Sequence, residues 1–138
     1  MFLFILWILI SIWISYTDVF FRIISNIQIL FIIALSTVSS FQLHLEINLL
    51  MAALILFIGI IIWRFGFLGA GDIKLICALS LIIPYDLIGL FLFLTSIVGA
   101  IIGIFIYICA NFIKIEKSVP YGVAIMGSFL ILFLPHLY

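Results

Sequence analysis

Two aspartates in a strongly apolar chain could do chemistry together. Asp18 lies in Tyr16-Thr17-Asp18-Val19-Phe20-Phe21-Arg22, and Asp72 lies in Gly69-Ala70-Gly71-Asp72-Ile73-Lys74. The chain has 138 residues, 70% of them hydrophobic, and only five acidic side chains. A carboxylate placed against membrane segments is a functional-site candidate by default, because hydrocarbon does not solvate its charge. Two carboxyls that meet at low dielectric cannot both ionise easily, so they share a proton. The ionised member can activate a water. The protonated member can polarise a peptide carbonyl and later protonate the leaving amine. Such a dyad hydrolyses a peptide bond without metal, serine or cysteine, and no cofactor is expected.

The elements that must position this pair are membrane helices. Mean hydropathy is +1.66 and charged residues are 7% of the chain, against roughly 25% in a soluble domain. Disorder requires the opposite composition. Net charge is zero with no basic run, so nucleic acid is not expected as a partner. Cys77 and Cys109 stand far apart in apolar stretches without a Cys/His cluster; they read as packing residues, and no metal site is expected. Met1-Phe2-Leu3-Phe4-Ile5 carries no positive region and reads as a first span retained in the protein.

A spanning helix needs about 20 apolar residues, within about 17–25. Polar and turn-forming residues divide the chain into six candidates: Phe2–Tyr16, Ile27–Phe41, Ile47–Trp63, Ile73–Ile83, Leu87–Ala110 and Tyr121–Leu137. The fourth, stopped by Pro84, is short enough to be re-entrant. Open strands are not viable in lipid, so the expected fold is all-α, a polytopic membrane protein of about six helices. Residues 1–138 are expected to form a single membrane-embedded domain.

The cations set the topology. Arg22, Arg64, Lys74, Lys114 and Lys117 all fall in connections on one side of a six-span arrangement. The opposite connections, Gln42-Leu43-His44-Leu45-Glu46 and Pro84-Tyr85-Asp86, contain no Lys or Arg. The positive-inside rule makes the basic side cytoplasmic, with both termini outward. Asp18 then ends the first span and Asp72 opens the fourth on that same side. Asp86, His44 and His136 are assigned to the other side, and Glu116 to a polar loop with Lys114 and Lys117.

Each residue also has a simpler reading. Asp is among the best helix N-caps, which would account for Asp72 after Gly69-Ala70-Gly71. The two glycines would permit close backbone approach or positive φ. Asp18 has a helical i,i+4 partner in Arg22. Lys117-Ser118-Val119-Pro120-Tyr121-Gly122 reads as a turn opening the last helix, with Pro at its start and Tyr at the interface.

The motifs resemble those of the type IV prepilin peptidases, membrane aspartic proteases that process pilin precursors. Gly69-x-Gly71-Asp72-x-Lys74 resembles their GxGD motif. Asp18-x-x-x-Arg22-x-x-Ser25-Asn26 resembles their first-aspartate motif, with Ser25 where that family usually has proline. Val119-Pro120-Tyr121-Gly122 resembles the segment that opens their last helix. The short length is similar to the minimal branch associated with tight-adherence (Flp-type) pili. The resemblance implies Asp18 and Asp72 as the catalytic pair. It implies Gly69, Gly71, Lys74, Arg22, Asn26, Pro120, Tyr121 and Gly122 as residues that shape the site or bind substrate. It implies a pilin or pseudopilin precursor as partner, within membrane lipid at the cytoplasmic face of the bacterial inner membrane. The cysteine-rich loop of larger members has no counterpart in these residues, so cleavage without N-methylation is expected. Two other readings stay open: an intramembrane GxGD protease with other substrates, and a non-enzymatic transporter or assembly subunit in which the aspartates bind an ion or cap helices.

Overall fold

A computed structural model describes residues 2–112, 119–133 and 135, with the side chains of 110–112 left aside. The predicted Lys114, Glu116, Lys117 and His136 lie outside the described residues. The chain forms six helices and, among the described residues, no strand: α1 Phe2–Phe21, α2 Asn26–Leu43, α3 Leu49–Arg64, α4 Ala70–Ser80, α5 Tyr85–Phe112 and α6 Tyr121–Phe133. Three are long and apolar enough to cross a membrane, namely α1, α2 and most of α5; α3 and α6 are apolar but shorter. This is the all-α polytopic arrangement expected from composition.

Two boundaries differ from the sequence-based expectation in ways that matter. The first helix does not stop at Tyr16 but continues through Asp18 to Phe21. A single carboxylate does not end a helix whose flanking residues, Val19, Phe20 and Phe21, remain apolar. The fourth helix begins at Ala70, three residues early, and ends at Ser80. Its 11 residues rise about 16 Å, roughly half the hydrocarbon thickness. It does not span.

This short helix is nonetheless the centre of the bundle. It packs against α2, α3 and α6, while α1 packs on α2 and α6, and α5 on α6. Leu75, Leu79 and Ile82 are fully buried with Trp7, Ile14, Ile32, Phe91, Ile125 and Phe129. The Trp7 ring lies tilted against Phe129 with centroids 4.6 Å apart, and its indole donates to Ser39 Oγ at 3.1 Å. Gly59 on α3 leaves room for Ile73 on α4. Small residues at such interfaces let membrane helices approach closely. The outward surface carries large apolar side chains such as Phe31, Phe57, Ile101 and Phe105, the pattern of a bundle that faces lipid.

The connections sort to two ends. At one, His44, Leu45, Glu46, Asn48, Pro84 and Tyr85 line a common hollow, and Asn48 Nδ2 donates to the Ile83 carbonyl at 2.6 Å. The other end gathers the C-terminal end of α1 and the N-terminal ends of α4 and α6.

Candidate active site

Asp18 is on α1, a turn before its end, and is 6% exposed. Its Oδ2 accepts from the backbone N–H of Gly122 at 2.7 Å, and the Val123 N–H points to the same carboxylate. These are the second and third residues of α6. The first N–H groups of a helix have no partner of their own and carry the positive end of its dipole, so they attract an anion. Asp18 therefore caps α6 from another helix. Any side chain at Gly122 would collide: a Cβ there would lie 2.8 Å from Asp18 Oδ2 and 3.0 Å from its Cγ. Pro120 is buried just before α6, where proline suits the start of a helix.

Asp72 occupies the first turn of α4 but is not its cap, correcting the capping alternative. The cap is Gly69, at φ −70° and ψ 146°, a conformation open to any residue. The glycine is required for space: a Cβ on it would sit 2.8 Å from Asp72 Oδ2. The Gly69 backbone N–H instead donates to the Asp72 carboxylate, the return half of a capping box. Gly71 is also a matter of space, since its Cβ would come within 3.1 Å of Ile24 Cβ. Positive φ in this turn belongs to Gly66, at 76°.

The two carboxylates face one cavity of about 280 Å³, lined by Asp18, Arg22, Ile23, Ile24, Gly69, Ala70, Gly71 and Asp72. Burial and then the nearby Asp18 charge push the Asp72 carboxyl up to about 6, against the opposing Gly69 hydrogen bond. Arg22 lies just past α1 with φ 55°, outside helical geometry, and its guanidinium still supplies positive charge to Asp18. The wall formed by 22–25 is tied down by a capping box whose role the motif reading of Ser25 did not include. Ser25 caps α2 in a full capping box with Gln28. Gln28 Nε2 then donates to Thr17 Oγ1 at 2.8 Å, beside Asp18. The Ser25-x-x-Gln28 spacing is a legible capping-box signal, and it explains how a serine serves at this position.

Other predicted site residues stand apart from the cavity. Lys74 donates to Asn26 Oδ1 at 3.0 Å on the exposed surface, bracing α4 against α2. The Tyr121 ring packs on α5, where a Cβ at Gly99 would meet its Cε1 at 3.0 Å. His44 and Glu46 belong to the connection at the other end, and Asp86 to the first turn of α5 there.

The family model described as the type IV leader peptidase family matches residues 3–104. No curated protein and no solved structure matches the chain. The matched span includes Asp18, Asp72 and the whole 22–25 wall, and stops short of the α6 residues that receive Asp18. With about three quarters of its length matched, the chain belongs to the type IV leader peptidase family.

Proposed function

We propose that this peptidase is of the aspartic type. It removes the short basic leader from pilin or pseudopilin precursors at the cytoplasmic face of the bacterial inner membrane. The observation that carries this reading is the shared cavity: Asp18 and Asp72 line it together, and the charge of Asp18 acts on Asp72. Structural roles explain each aspartate singly, Asp18 as the cap of α6 and Asp72 as the partner of Gly69. They give no reason for two anions to be held in one small hollow, where each raises the energy of the other.

The surroundings divide the labour. Asp18 accepts the Gly122 backbone N–H at the N-terminus of α6 and lines the cavity beside Arg22, which suits it to the part of the base. Asp72, in the first turn of α4 with the Gly69 N–H on its carboxylate, is the member that retains the proton. Asp18 takes a proton from water as the oxygen attacks the scissile carbonyl carbon. Asp72 donates its proton to the carbonyl oxygen, giving a neutral gem-diol. Collapse of that intermediate breaks the C–N bond. The proton held by Asp18 passes to the amine, and the diol returns a proton to Asp72.

The positive-inside rule applied to Arg22, Arg64 and Lys74 supports a cytoplasmic position for this end of the bundle, where a basic leader would remain. Co-expression with a pilin precursor tests the reading. Asp18→Asn and Asp72→Asn are each expected to insert normally and leave the precursor uncut, a loss of at least about a hundredfold, whereas Asp86→Asn leaves processing intact. Retained processing in either dyad variant would exclude the mechanism.

A further inference from the structure

A groove of about 470 Å³ runs along the outer wall between α1 and α6. Its course is marked by Ser11, Ser15 and Val19 on α1 and by Val123, Gly127 and Leu130 on α6. Along α1 it extends from Ile8 to Phe20, about 18 Å at the helical rise.

The register of this groove sets it apart. Its upper end, at Val19 and Val123, is level with Asp18: Val19 follows Asp18 in the chain, and the Val123 N–H points to its carboxylate. The larger groove between α1 and α2, about 580 Å³, reaches along α1 only as far as Trp13, more than a helical turn short of Asp18. An apolar helix joined directly to a scissile bond must begin at the depth of the dyad, and the α1/α6 groove begins there.

Its floor is also made for a helix. Ser11, Ser15 and Gly127 are small, and small residues let a second helix backbone approach closely. Ser11 returns its hydroxyl to the Trp7 carbonyl at 2.6 Å, so it presents no unpaired polar group. Gly127 is the telling residue. Its neighbour Gly122 is needed by the fold because Asp18 fills the space beside it, but a Cβ on Gly127 would meet no atom within 4 Å. Packing within the chain gives no reason for a glycine there, in the interior of α6, where glycine is a poor helix former.

We propose that this groove seats the apolar helix of the protein substrate, with the residues that precede the helix passing over Val19 onto Asp18 and Asp72. This rests on the proteolytic reading above and adds a binding site to it. Photo-crosslinking in an Asp72→Asn background tests it, with benzoylphenylalanine in place of either Ser15 or Leu9, the latter in the α1/α2 groove. Crosslinking of a precursor from position 15 and not from position 9 is expected. Equal crosslinking, crosslinking from position 9 alone, or none from either overturns the proposal.

A kinetic test uses the otherwise unaltered enzyme. Gly127→Leu is expected to raise KM for the full precursor about tenfold. Turnover of a soluble peptide that spans the leader junction but lacks the apolar helix should not change. An unchanged KM for the precursor overturns the groove assignment alone. An intact precursor with the wild-type enzyme overturns both readings. Should Gly127→Leu lose peptide turnover as well, its defect is in folding, and the crosslinks decide.

Discussion

The carboxylate of Asp18 is hydrogen-bonded to the backbone nitrogen of Gly122, 2.7 Å away and 104 residues later in the chain. One contact thereby fixes the orientation of a candidate catalytic group and satisfies the start of α6. It also makes Gly122 irreplaceable on steric grounds. Gly122→Ala would bring a methyl to 2.8 Å from Asp18 Oδ2 and force the carboxylate off the helix end. The expected cost is about 1–3 kcal/mol in stability, with precursor cleavage falling much further. Melting in detergent and a processing assay measure the two separately.

Gly69→Ala is expected to act on the other carboxylate. The backbone there suits any residue, so helix formation should survive while Asp72 is displaced by the new methyl. Cleavage should fall at least about tenfold with melting changed by less than in Gly122→Ala. Full activity would show that Asp72 does not need its present position.

Asp72 should titrate near 6, raised by burial and by Asp18. If Asp72 carries the catalytic proton, activity declines as pH rises through that value and the proton is lost. Asp18→Asn removes one of the two upward influences. The Asp72 carboxyl should then titrate lower, while burial keeps it above an ordinary aspartate. Carbon-13 NMR of labelled carboxyls reads both values, and an unchanged titration in Asp18→Asn would deny the coupling. Arg22 is the cation lining the same cavity, and Lys74 is turned to Asn26.

The same shift has a sign for stability. The folded protein holds the Asp72 proton to about pH 6, against a value of 3.8 for an unperturbed group. The folded state therefore binds more protons, and stability falls as pH rises between those values. Asp72→Asn removes that penalty. It should melt above the wild type at pH 8, and the difference should shrink below pH 4. A site that gains stability when its acid is removed is one maintained for function.

Gln28 is 1% exposed and serves two partners: its Oε1 accepts from Ser25 N at 2.8 Å and its Nε2 donates to Thr17 Oγ1 at 2.8 Å. Gln28→Leu leaves the Ser25 N–H without its acceptor, while the Thr17 hydroxyl loses one donor and still donates to the Ile14 carbonyl. The expected loss is about 1–3 kcal/mol, seen as a lower melting temperature, with reduced cleavage as the 22–25 wall loosens. Thr37→Ala, on an exposed hydroxyl bonded within its own helix, should change stability by no more than about 0.5 kcal/mol.

By itself the sequence determined the solvent and sorted the charged residues to two ends. Apolar runs of this length can only be membrane helices, and the placement of Arg22, Arg64 and Lys74 put Asp18 and Asp72 at one end with Asp86 at the other. Hydrophobicity and charge are summed along a segment, so they can be read without coordinates. The motifs likewise named the glycines, and of the two reasons a glycine could have at Gly69 it is close approach, not special φ, that holds. Only the tertiary structure decided that Asp18 is buried on α1, that the start of α6 at Gly122 and Val123 receives it, and that Lys74 is turned to Asn26 and Tyr121 to α5. Those outcomes depend on which helix faces meet and on the volume left between them. A bond across 104 residues has no signature in local pattern, because it exists only once α1 and α6 have packed.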